Sequence, residues 1–341
     1  MINKEEKCDA RKQILEIDDL SISFSLNGND LPAVSNLSLT LNTGEILALV
    51  GESGCGKSVT CMSITRLLPE PPAKYVSGKI NLYCDNRKVN TLEIPPKELR
   101  KIRGNKIAYV FQEPSVSLNP VFTIGEQIAE SIELHRKDVL NIEECVIDLL
   151  KQVGIPEPKA RIKCYPHEMS GGMLQRVMIA MALASEPDIL IADEPTTALD
   201  VTVQAQILEL LCDVRKKNNM SIILVSHNLG IVEQIADRVL VMYAGHTVEE
   251  GIVKDILEKP IHPYTKALLS AIPTLEDNVN EELSTIAGQV PTPDKFPKGC
   301  RFFDRCEFRK SQSDDFQEKC RQEIPKWHHK SDDHFVRCHK I

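Results

Sequence analysis

Three short runs of apolar residues form the strongest regular pattern in the chain. They occupy 45–50, 188–193 and 221–226, are rich in Ile, Leu and Val, and are bounded by polar or glycine residues. Such runs are typical of parallel strands that are buried on both faces. After the second run, apolar residues recur at helical spacing from Val203 to Val214. Strands that are separated by helices predict a doubly wound α/β fold.

Residues 113–187 carry a mainly helical pattern instead. Two stretches, 123–135 and 142–154, have helical periodicity, and the second ends at Gly154 just before a proline. We therefore expect a helical insertion between two strands of the sheet. A proline-containing stretch, 258–273, precedes a cysteine-rich tail, and we expect a boundary near residue 259.

Composition and charge narrow the class of protein. The chain has 341 residues, 42% of them hydrophobic, with a formal net charge of −8, which suits a folded α/β protein and gives no support for nucleic-acid binding. No apolar run approaches the roughly 18–20 residues that a membrane helix needs, and the charged first residues do not resemble a secretory signal. The eleven cysteines are therefore not expected to form a disulfide framework.

The first apolar run leads directly into a glycine-rich loop, 51–58, with the pattern G-x-x-x-x-G-K-S, and a helical pattern follows. In this context, backbone N–H groups of the loop and the helix N-terminus surround phosphate oxygens. Lys57 adds a positive charge for the β- and γ-phosphates, and Ser58 adds a hydroxyl ligand for Mg²⁺. A glycine-rich turn that binds nothing is the alternative, which the full pattern disfavours. The predicted nucleotide-binding residues are Gly51, Ser53, Gly54, Cys55, Gly56, Lys57, Ser58 and Val59.

The second and third apolar runs end in residues that suit ATP chemistry. Asp193 is expected to hold Mg²⁺, and Glu194 to polarise the attacking water or accept its proton. His227 follows the third run, where a parallel strand would deliver it to the nucleotide crevice. Two acids at a strand end are more often a solvated turn, and a lone histidine is more often structural. The loop upstream favours the functional interpretation of both.

Over about 14–258, the chain resembles the nucleotide-binding subunit of ATP-binding cassette (ABC) transporters. The distinguishing segment is 169–175, MSGGMLQ, which is similar to the family's signature loop, usually LSGGQ, with Met at two of its positions. The resemblance implies an α/β fold, a P-loop NTPase cassette with an inserted helical subdomain at about 113–187 and a small Cys-rich C-terminal extension at 259–341. Other family motifs occur in the usual order: Gln112 (Q-loop), Asp193 and Glu194 (Walker B), Asp200 (D-loop) and His227 (switch).

The resemblance also implies roles for these residues. Glu194, His227 and Gln112 would be catalytic, and Gln112 would join Ser58 and Asp193 around Mg²⁺. Phe24 falls where the family places an aromatic ring on adenine, although a phenylalanine in an early strand is often part of the core. In the family's head-to-tail dimer, the signature residues contact ATP that the partner's P-loop holds; here they are Ser170, Gly171, Gly172 and Gln175.

Segments 117–128, 165–184 and 262–273 are similar to the oligopeptide/dipeptide importer branch, which includes nickel importers. This implies an ATP-hydrolysing subunit, peripheral on the cytoplasmic face of the cell (inner) membrane. Its expected partners are a second related ATPase, two permease membrane subunits and an extracytoplasmic substrate-binding protein. The alternatives are a nickel or other small-solute importer, and a soluble non-transport ABC ATPase, which the single P-loop and the lack of heptads disfavour. A regulatory iron–sulfur protein with a degenerate ATPase is disfavoured by the intact motifs.

Four cysteines of the tail are spaced C-x5-C-x13-C-x17-C: Cys300, Cys306, Cys320 and Cys338. Four thiolates suit zinc or an iron–sulfur cluster, but the spacing lacks a C-x2-C pair, so buried free thiols remain an alternative. Some members of the branch carry a [4Fe-4S] cluster on this tail, and the resemblance favours that cluster. Histidines at 328, 329, 334 and 339 keep a mixed Cys/His zinc site open.

Cys55 lies inside the glycine-rich loop, next to a lysine and a helix N-terminus. These neighbours predict a lowered thiol pKa. We therefore expect alkylation of Cys55 to block nucleotide binding and ATP to protect it. The favoured interpretation of Cys55 itself is nevertheless that of a small residue that the loop tolerates.

Overall fold

The structure is a computed structural model that describes residues 12–84, 87–197, 199–271, 286–331 and 333–341. In these ranges the strands are β1 (Gln13–Leu26), β2 (Asn29–Asn42), β3 (Ile46–Val50), β4 (Ala73–Cys84), β5 (Arg87–Asn90), β6 (Ile107–Val110), β7 (Ile189–Asp193), β8 (Ser221–Ser226), β9 (Arg238–Tyr243), β10 (His246–Ile252), β11 (Trp327–Ser331) and β12 (His334–Arg337). The α-helices are α1 (Lys57–Ile64), α2 (Pro96–Ile102), α3 (Pro114–Ser117), α4 (Ile124–His135), α5 (Ile142–Gln152), α6 (Pro158–Arg161), α7 (Gly171–Leu183), α8 (Val201–Asn218), α9 (Leu229–Ile235), α10 (Val253–Glu258), α11 (Pro263–Ser270), α12 (Glu307–Lys310) and α13 (Asp314–Gln322). Short 3₁₀ turns occupy Pro166–Glu168, Pro293–Lys295 and Phe303–Arg305.

These strands form two sheets. The smaller sheet is antiparallel, in the order β2-β1-β4-β5. The main sheet has the order β11-β12-β10-β9-β3-β8-β7-β6, and its segment from β9 to β6 is parallel. The three apolar runs are β3, β7 and β8, so the sequence prediction of buried parallel strands is confirmed. Their carboxyl ends lie along one edge of the sheet.

The position of β3 between two hydrophobic cores explains why its sequence is continuously apolar. Alternate side chains of a strand point to opposite faces. Ile46, Ala48 and Val50 belong to the core under the helices, whereas Leu47 and Leu49 belong to the core shared with the antiparallel sheet. All five residues are fully buried. The strand that carries the glycine-rich loop is therefore fixed by packing on both faces.

Helices α3 to α7 lie between β6 and β7 and form the predicted helical insertion. Three of them, α4, α5 and α7, begin at side-chain caps. Thr123 and Glu126 form a capping box at α4, and Asn141 accepts from the N–H of Glu144 at α5. Such caps satisfy N–H groups that the first turn of a helix leaves without an intrahelical partner. They fix where each helix begins.

The tail packs against the main sheet. Strand β12 pairs with β10, and β11 pairs with β12, so the tail extends one end of the sheet. Glu249 on β10 is fully buried, and its carboxylate accepts hydrogen bonds from the N–H groups of Ile261 and His262 and contacts His334 Nε2 at 2.8 Å. No helix in the described ranges is long and apolar enough to span a membrane.

Candidate nucleotide site

The glycine-rich loop runs from β3 into α1, and two of its glycines are required by geometry. Gly51 has φ 151°, and a Cβ on it would lie 2.2 Å from the carbonyl oxygen of Met242. Gly56 has φ 105°, and a Cβ there would lie 3.0 Å from the carbonyl oxygen of Ala33. L-residues rarely adopt these backbone conformations. The loop can therefore pass close to the neighbouring backbone only because these positions are glycine.

Lys57 is the first residue of α1, and its side chain folds back over the loop. Its ammonium donates to the carbonyl oxygens of Gly51 at 2.7 Å and Glu52 at 3.1 Å, and it lies 3.7 Å from Cys55 Sγ. Only 6% of the residue is exposed. The loop thus holds a buried positive charge that phosphate oxygens would attract, as the pattern predicts.

Cys55 differs from the expectation drawn from its sequence neighbours. The thiol is fully buried, and this burial raises its pKa, outweighing the nearby Lys57 charge, which lowers it. The prediction of a lowered pKa is therefore wrong. Desolvation of the thiolate is the larger effect, and a thiol with a raised pKa is a weaker nucleophile at neutral pH.

The end of β7 meets the start of α1. Ser58 Oγ donates to Asp193 Oδ1 at 3.2 Å, and the Tyr109 hydroxyl of β6 donates to Asp193 Oδ2 at 2.7 Å. Burial raises the pKa of Tyr109 far above its usual value, so the phenol stays protonated and donates. A hydroxyl and a carboxylate oxygen that face each other are the hard ligands that Mg²⁺ prefers. These residues fit a magnesium site.

Glu194 follows β7 and has a left-handed backbone conformation, with φ 47°. Its carboxylate makes three polar contacts. Oε2 accepts from Gln112 Nε2 at 3.1 Å and from Thr197 Oγ1 at 2.9 Å, and it lies 3.3 Å from His227 Nδ1. A non-glycine residue with positive φ is uncommon and occurs often at functional sites. The histidine side chain is 62% exposed and that of the glutamate 14%, so the cluster opens to solvent on the histidine side.

The signature segment forms the start of α7. Ser170 is its N-cap, accepting from the N–H of Met173, and Ser170 and Gly171 are exposed. A Cβ on Gly171 would meet nothing within 4 Å, whereas one on Gly172 would lie 3.1 Å from Val203 Cγ1. Gln175 is only 2% exposed, and its Nε2 has no hydrogen-bond partner. It therefore lies inside the chain, away from the exposed surface of the segment.

The other candidate residues lie at different depths. Asp200 is exposed and caps α8 by accepting from the N–H of Val203 at 3.0 Å. Ser53 and Gly54 are exposed on the loop, and Val59 is half-buried on α1. Phe24, on β1, is half-buried and packs against the core shared by the two sheets.

The four tail cysteines line a single cavity of about 20 Å³, room for roughly one water molecule. Burial raises the pKa of each thiol, to about 12 for Cys300 and about 11 for Cys320. Among the residues that the structure describes, no group of three or more His, Cys, Asp or Glu side chains is arranged to hold a metal ion. The geometry thus gives no support to the predicted metal site beyond the convergence of the four side chains.

Two site residues have no place in the sequence prediction. Tyr109 contacts Asp193 from a neighbouring strand, and the polar hydroxyl within the otherwise apolar strand IAYV is the only sequence signal for it. Thr197 lies three residues after Glu194, within the turn, and carries no motif signal of its own.

Comparison with known proteins agrees with this geometry. The ABC transporter family matches residues 34–197, and the C-terminal region of oligopeptide/dipeptide transporters matches 248–312. The chain is 46% identical over 328 residues to the dipeptide transport ATP-binding protein DppD of Bacillus subtilis, covering 96% of this chain and 94% of that protein. It is 49% identical over 296 residues to a peptide import ATP-binding protein of Brucella abortus, covering 86% and 87%.

Solved structures support the same assignment. The ATP-binding cassette MJ0796, in a dimeric post-hydrolysis state bound to ADP and Pi, superposes with a TM-score of 0.62 at 27% identity, covering 70% of this chain and 99% of that one. The structure of cbiO1 from Clostridium perfringens, part of an ABC transporter complex, gives a TM-score of 0.60, covering 73% and 92%. Fold, site and relatives agree that this chain belongs to the ABC transporter family, as an ATP-hydrolysing subunit with an oligopeptide/dipeptide transporter C-terminal region.

Proposed function

We propose that the cluster around Glu194 is the hydrolytic centre of this ATPase. The observation that carries the proposal is the convergence of Gln112, Thr197 and His227 on one carboxylate oxygen of Glu194, next to Asp193. A carboxylate at the end of a strand, beside a phosphate loop, is placed to accept a proton from an attacking water. Gln112 and His227 then orient that water and the γ-phosphate.

The nucleotide binds along the loop and the start of α1. The backbone N–H groups of the loop and the dipole of α1 attract the phosphates, and Lys57 moves from the loop carbonyls to the β- and γ-phosphates. Ser58, Asp193 and Gln112 would hold Mg²⁺, which would supply positive charge to offset that of the phosphates. The residues proposed to bind the nucleotide are Gly51, Ser53, Gly54, Cys55, Gly56, Lys57, Ser58 and Val59, with Phe24 against the adenine.

A second ATPase subunit completes each site. Ser170 and Gly171 are exposed at the N-terminus of a 13-residue helix, where N–H groups and the helix dipole favour an anion. In a head-to-tail dimer, Ser170, Gly171 and Gly172 contact the γ-phosphate held by the partner, and Asp200 lies at the same interface. Gln175 is assigned a supporting role behind the segment, because its side chain is buried.

Replacing Glu194 by Gln tests the hydrolytic role. The variant should bind ATP like the unmodified protein and favour the dimer, while hydrolysis decreases by roughly 10²–10⁴-fold, the usual contribution of a general base. The exposed Glu209 of α8, replaced by Gln, is the matched control and should keep full activity. Full turnover in the Glu194 variant would contradict the assignment.

The proposed physiological role is import of oligopeptides or dipeptides at the cytoplasmic face of the cell membrane. The relatives named for peptide import and the matching C-terminal region support it. The partners are two permease subunits, a second related ATPase and an extracytoplasmic substrate-binding protein. Val116, Val121 and Phe122 are exposed apolar residues shortly after Gln112, and they offer a surface for a permease.

Reconstitution of the complex in vesicles tests the cargo. ATP hydrolysis should rise when the binding protein carries a di- or oligopeptide, and it should stay at the basal rate with nickel or another small solute. Stimulation by nickel alone would assign the chain to the nickel importers of the branch. Failure to copurify with any membrane subunit would favour a soluble ABC ATPase.

The tail is proposed to bind a [4Fe-4S] cluster through Cys300, Cys306, Cys320 and Cys338. Support comes from the type of donor and from the convergence of all four side chains on one cavity. A cluster exceeds the present volume, so the thiols would have to rotate outward and lose their protons on binding. Iron, sulfide and zinc analysis after anaerobic purification tests this. Zinc without sulfide would indicate a zinc site, and absence of both metals would indicate free thiols.

A further inference from the structure

Residues of the tail form hydrogen bonds with Glu52 of the glycine-rich loop. Arg305 Nη1 donates to both carboxylate oxygens of Glu52 at 3.1 Å, across 253 residues of sequence. The Tyr264 hydroxyl accepts from the N–H of Glu52 at 2.9 Å. Both the side chain and the backbone of this loop residue are therefore held from the C-terminal side of the chain.

Arg305 is buried and is held in this position by several hydrogen bonds. Its side chain is only 6% exposed, and its other nitrogens donate to the carbonyl oxygens of Ala287 at 2.9 Å and Ile286 at 3.2 Å. Nη1 also lies 3.4 Å from the Tyr243 hydroxyl at the end of β9. A guanidinium presents five donors in a fixed, planar geometry. With these contacts made, the group has little freedom to leave Glu52.

Tyr264 is equally well fixed. It is fully buried in a cluster of rings, with its centroid 4.7 Å from that of Tyr243 and 5.4 Å from that of Phe302. Phe302 is a tail residue, so the ring that supports the loop contact comes from the tail itself. Tight packing of this kind restricts the rotamers of all three rings.

The same loop residue also faces Lys57. The carbonyl oxygen of Glu52 accepts from the Lys57 ammonium at 3.1 Å. We propose that Arg305 and Tyr264 are positioning residues, which hold the loop in its phosphate-binding conformation and neutralise the Glu52 carboxylate beside it. The tail thereby sets the ATP affinity of the site. This rests on the proposed role of 51–58 as the phosphate loop.

Loss of these contacts should affect the binding of ATP more than its hydrolysis. Loss of Arg305 leaves a carboxylate without its cation next to a loop that must accept a polyanion, and it frees the loop to adopt other conformations. Both effects weaken the ground-state complex with ATP. Neither Arg305 nor Tyr264 contacts Glu194, so the catalytic step should change little once ATP is bound.

The test measures ATP affinity and steady-state kinetics of the full-length chain. Arg305→Gln should raise the Kd and KM for ATP roughly tenfold, the order expected for one lost charge-assisted hydrogen bond, with kcat changed less than about twofold. Arg305→Lys, which keeps the charge, should retain most of the affinity. Arg337→Gln is the matched control, because Arg337 also precedes a tail cysteine but packs on Trp327 at 5.0 Å.

A double variant separates positioning from mere structural support. Removing the carboxylate as well, in Glu52→Gln with Arg305→Gln, should restore much of the affinity, because the uncompensated charge is gone. No rescue by Glu52→Gln, or equal losses in the Arg305 and Arg337 variants, would overturn the proposal. Lys57→Ala tests the proposed phosphate loop separately from the role of Arg305. If this variant kept normal ATP affinity, the phosphate-loop assignment itself would fail. If it lost affinity while Arg305→Gln did not, only the present inference would fail.

Discussion

Replacing Tyr109 by Phe removes one hydroxyl from the proposed magnesium site and leaves the ring in place. The hydroxyl donates to Asp193 Oδ2 at 2.7 Å, while the other oxygen of Asp193 accepts from Ser58. The ring stays in contact with Phe111, whose centroid is 4.4 Å away. The substitution therefore tests the orientation of Asp193 with little change in packing.

The expected magnitude follows from the charge of the acceptor. A hydrogen bond to a charged group contributes about 1.5–3 kcal/mol, which corresponds to roughly a 10- to 150-fold change in an equilibrium constant. Removing a partner that orients a metal ligand commonly costs about 10–100-fold in metal affinity or activity. We therefore expect the half-saturating concentration of Mg²⁺ to increase roughly 10- to 100-fold.

The assay is ATP hydrolysis as a function of free Mg²⁺ at saturating ATP. Because burial raises the pKa of Tyr109, its hydroxyl stays protonated throughout the workable pH range, and the ratio of variant to unmodified protein should not depend on pH. Tyr83→Phe is the control. It removes a hydroxyl that donates to Glu16 Oε2 at 2.9 Å in the antiparallel sheet. A Tyr109 variant with the same Mg²⁺ dependence as this control would refute the reasoning.

Two other expectations concern the loop. Gly51→Ala should abolish nucleotide binding and lower the Tm, because the new Cβ would overlap the carbonyl oxygen of Met242. In Gly54→Ala the new Cβ meets no atom within 4 Å, so the variant should lose only about 1 kcal/mol of folding stability, owing to the positive φ. Equal losses of nucleotide binding in the two variants would contradict this expectation. Cys55 should react with iodoacetamide more slowly than the partly exposed Cys164, because burial raises the Cys55 pKa and depletes the thiolate at neutral pH. Mass spectrometry of a labelling time course measures the modification of both cysteines. Equal labelling rates would contradict the protection of Cys55 by burial.

The sequence alone predicts much of the site because the fold is built from parallel strands. A buried parallel strand has a continuous apolar sequence, so β3, β7 and β8 are visible in the chain. Their carboxyl ends share one edge, and whatever follows them is brought together. The meeting of Ser58, Asp193, Glu194 and His227 follows from that rule without any further information.

Contacts between distant segments are not predictable in this way. The Tyr109 hydroxyl reaches Asp193 from a neighbouring strand, and Arg305 reaches Glu52 across most of the chain. Neither contact has a periodic or local signal. Strands β11 and β12 are also absent from the sequence prediction, because alternating apolar residues are few in a segment as polar as WHHKS. The sequence predicts the wrong direction for the Cys55 pKa, because nearby charge is visible in a sequence and burial is not.

The order of the main sheet explains why two separate parts of the chain contact the proposed site. Strand β3, which carries the glycine-rich loop, lies inside the sheet, with β6 at one end and the tail strands at the other. From the β6 end, Tyr109 contacts Asp193, a residue of the proposed magnesium site. From the tail, Arg305 contacts Glu52 in the proposed phosphate loop. The two contacts share no partner, so Mg²⁺ dependence and ATP affinity report on different elements of one sheet.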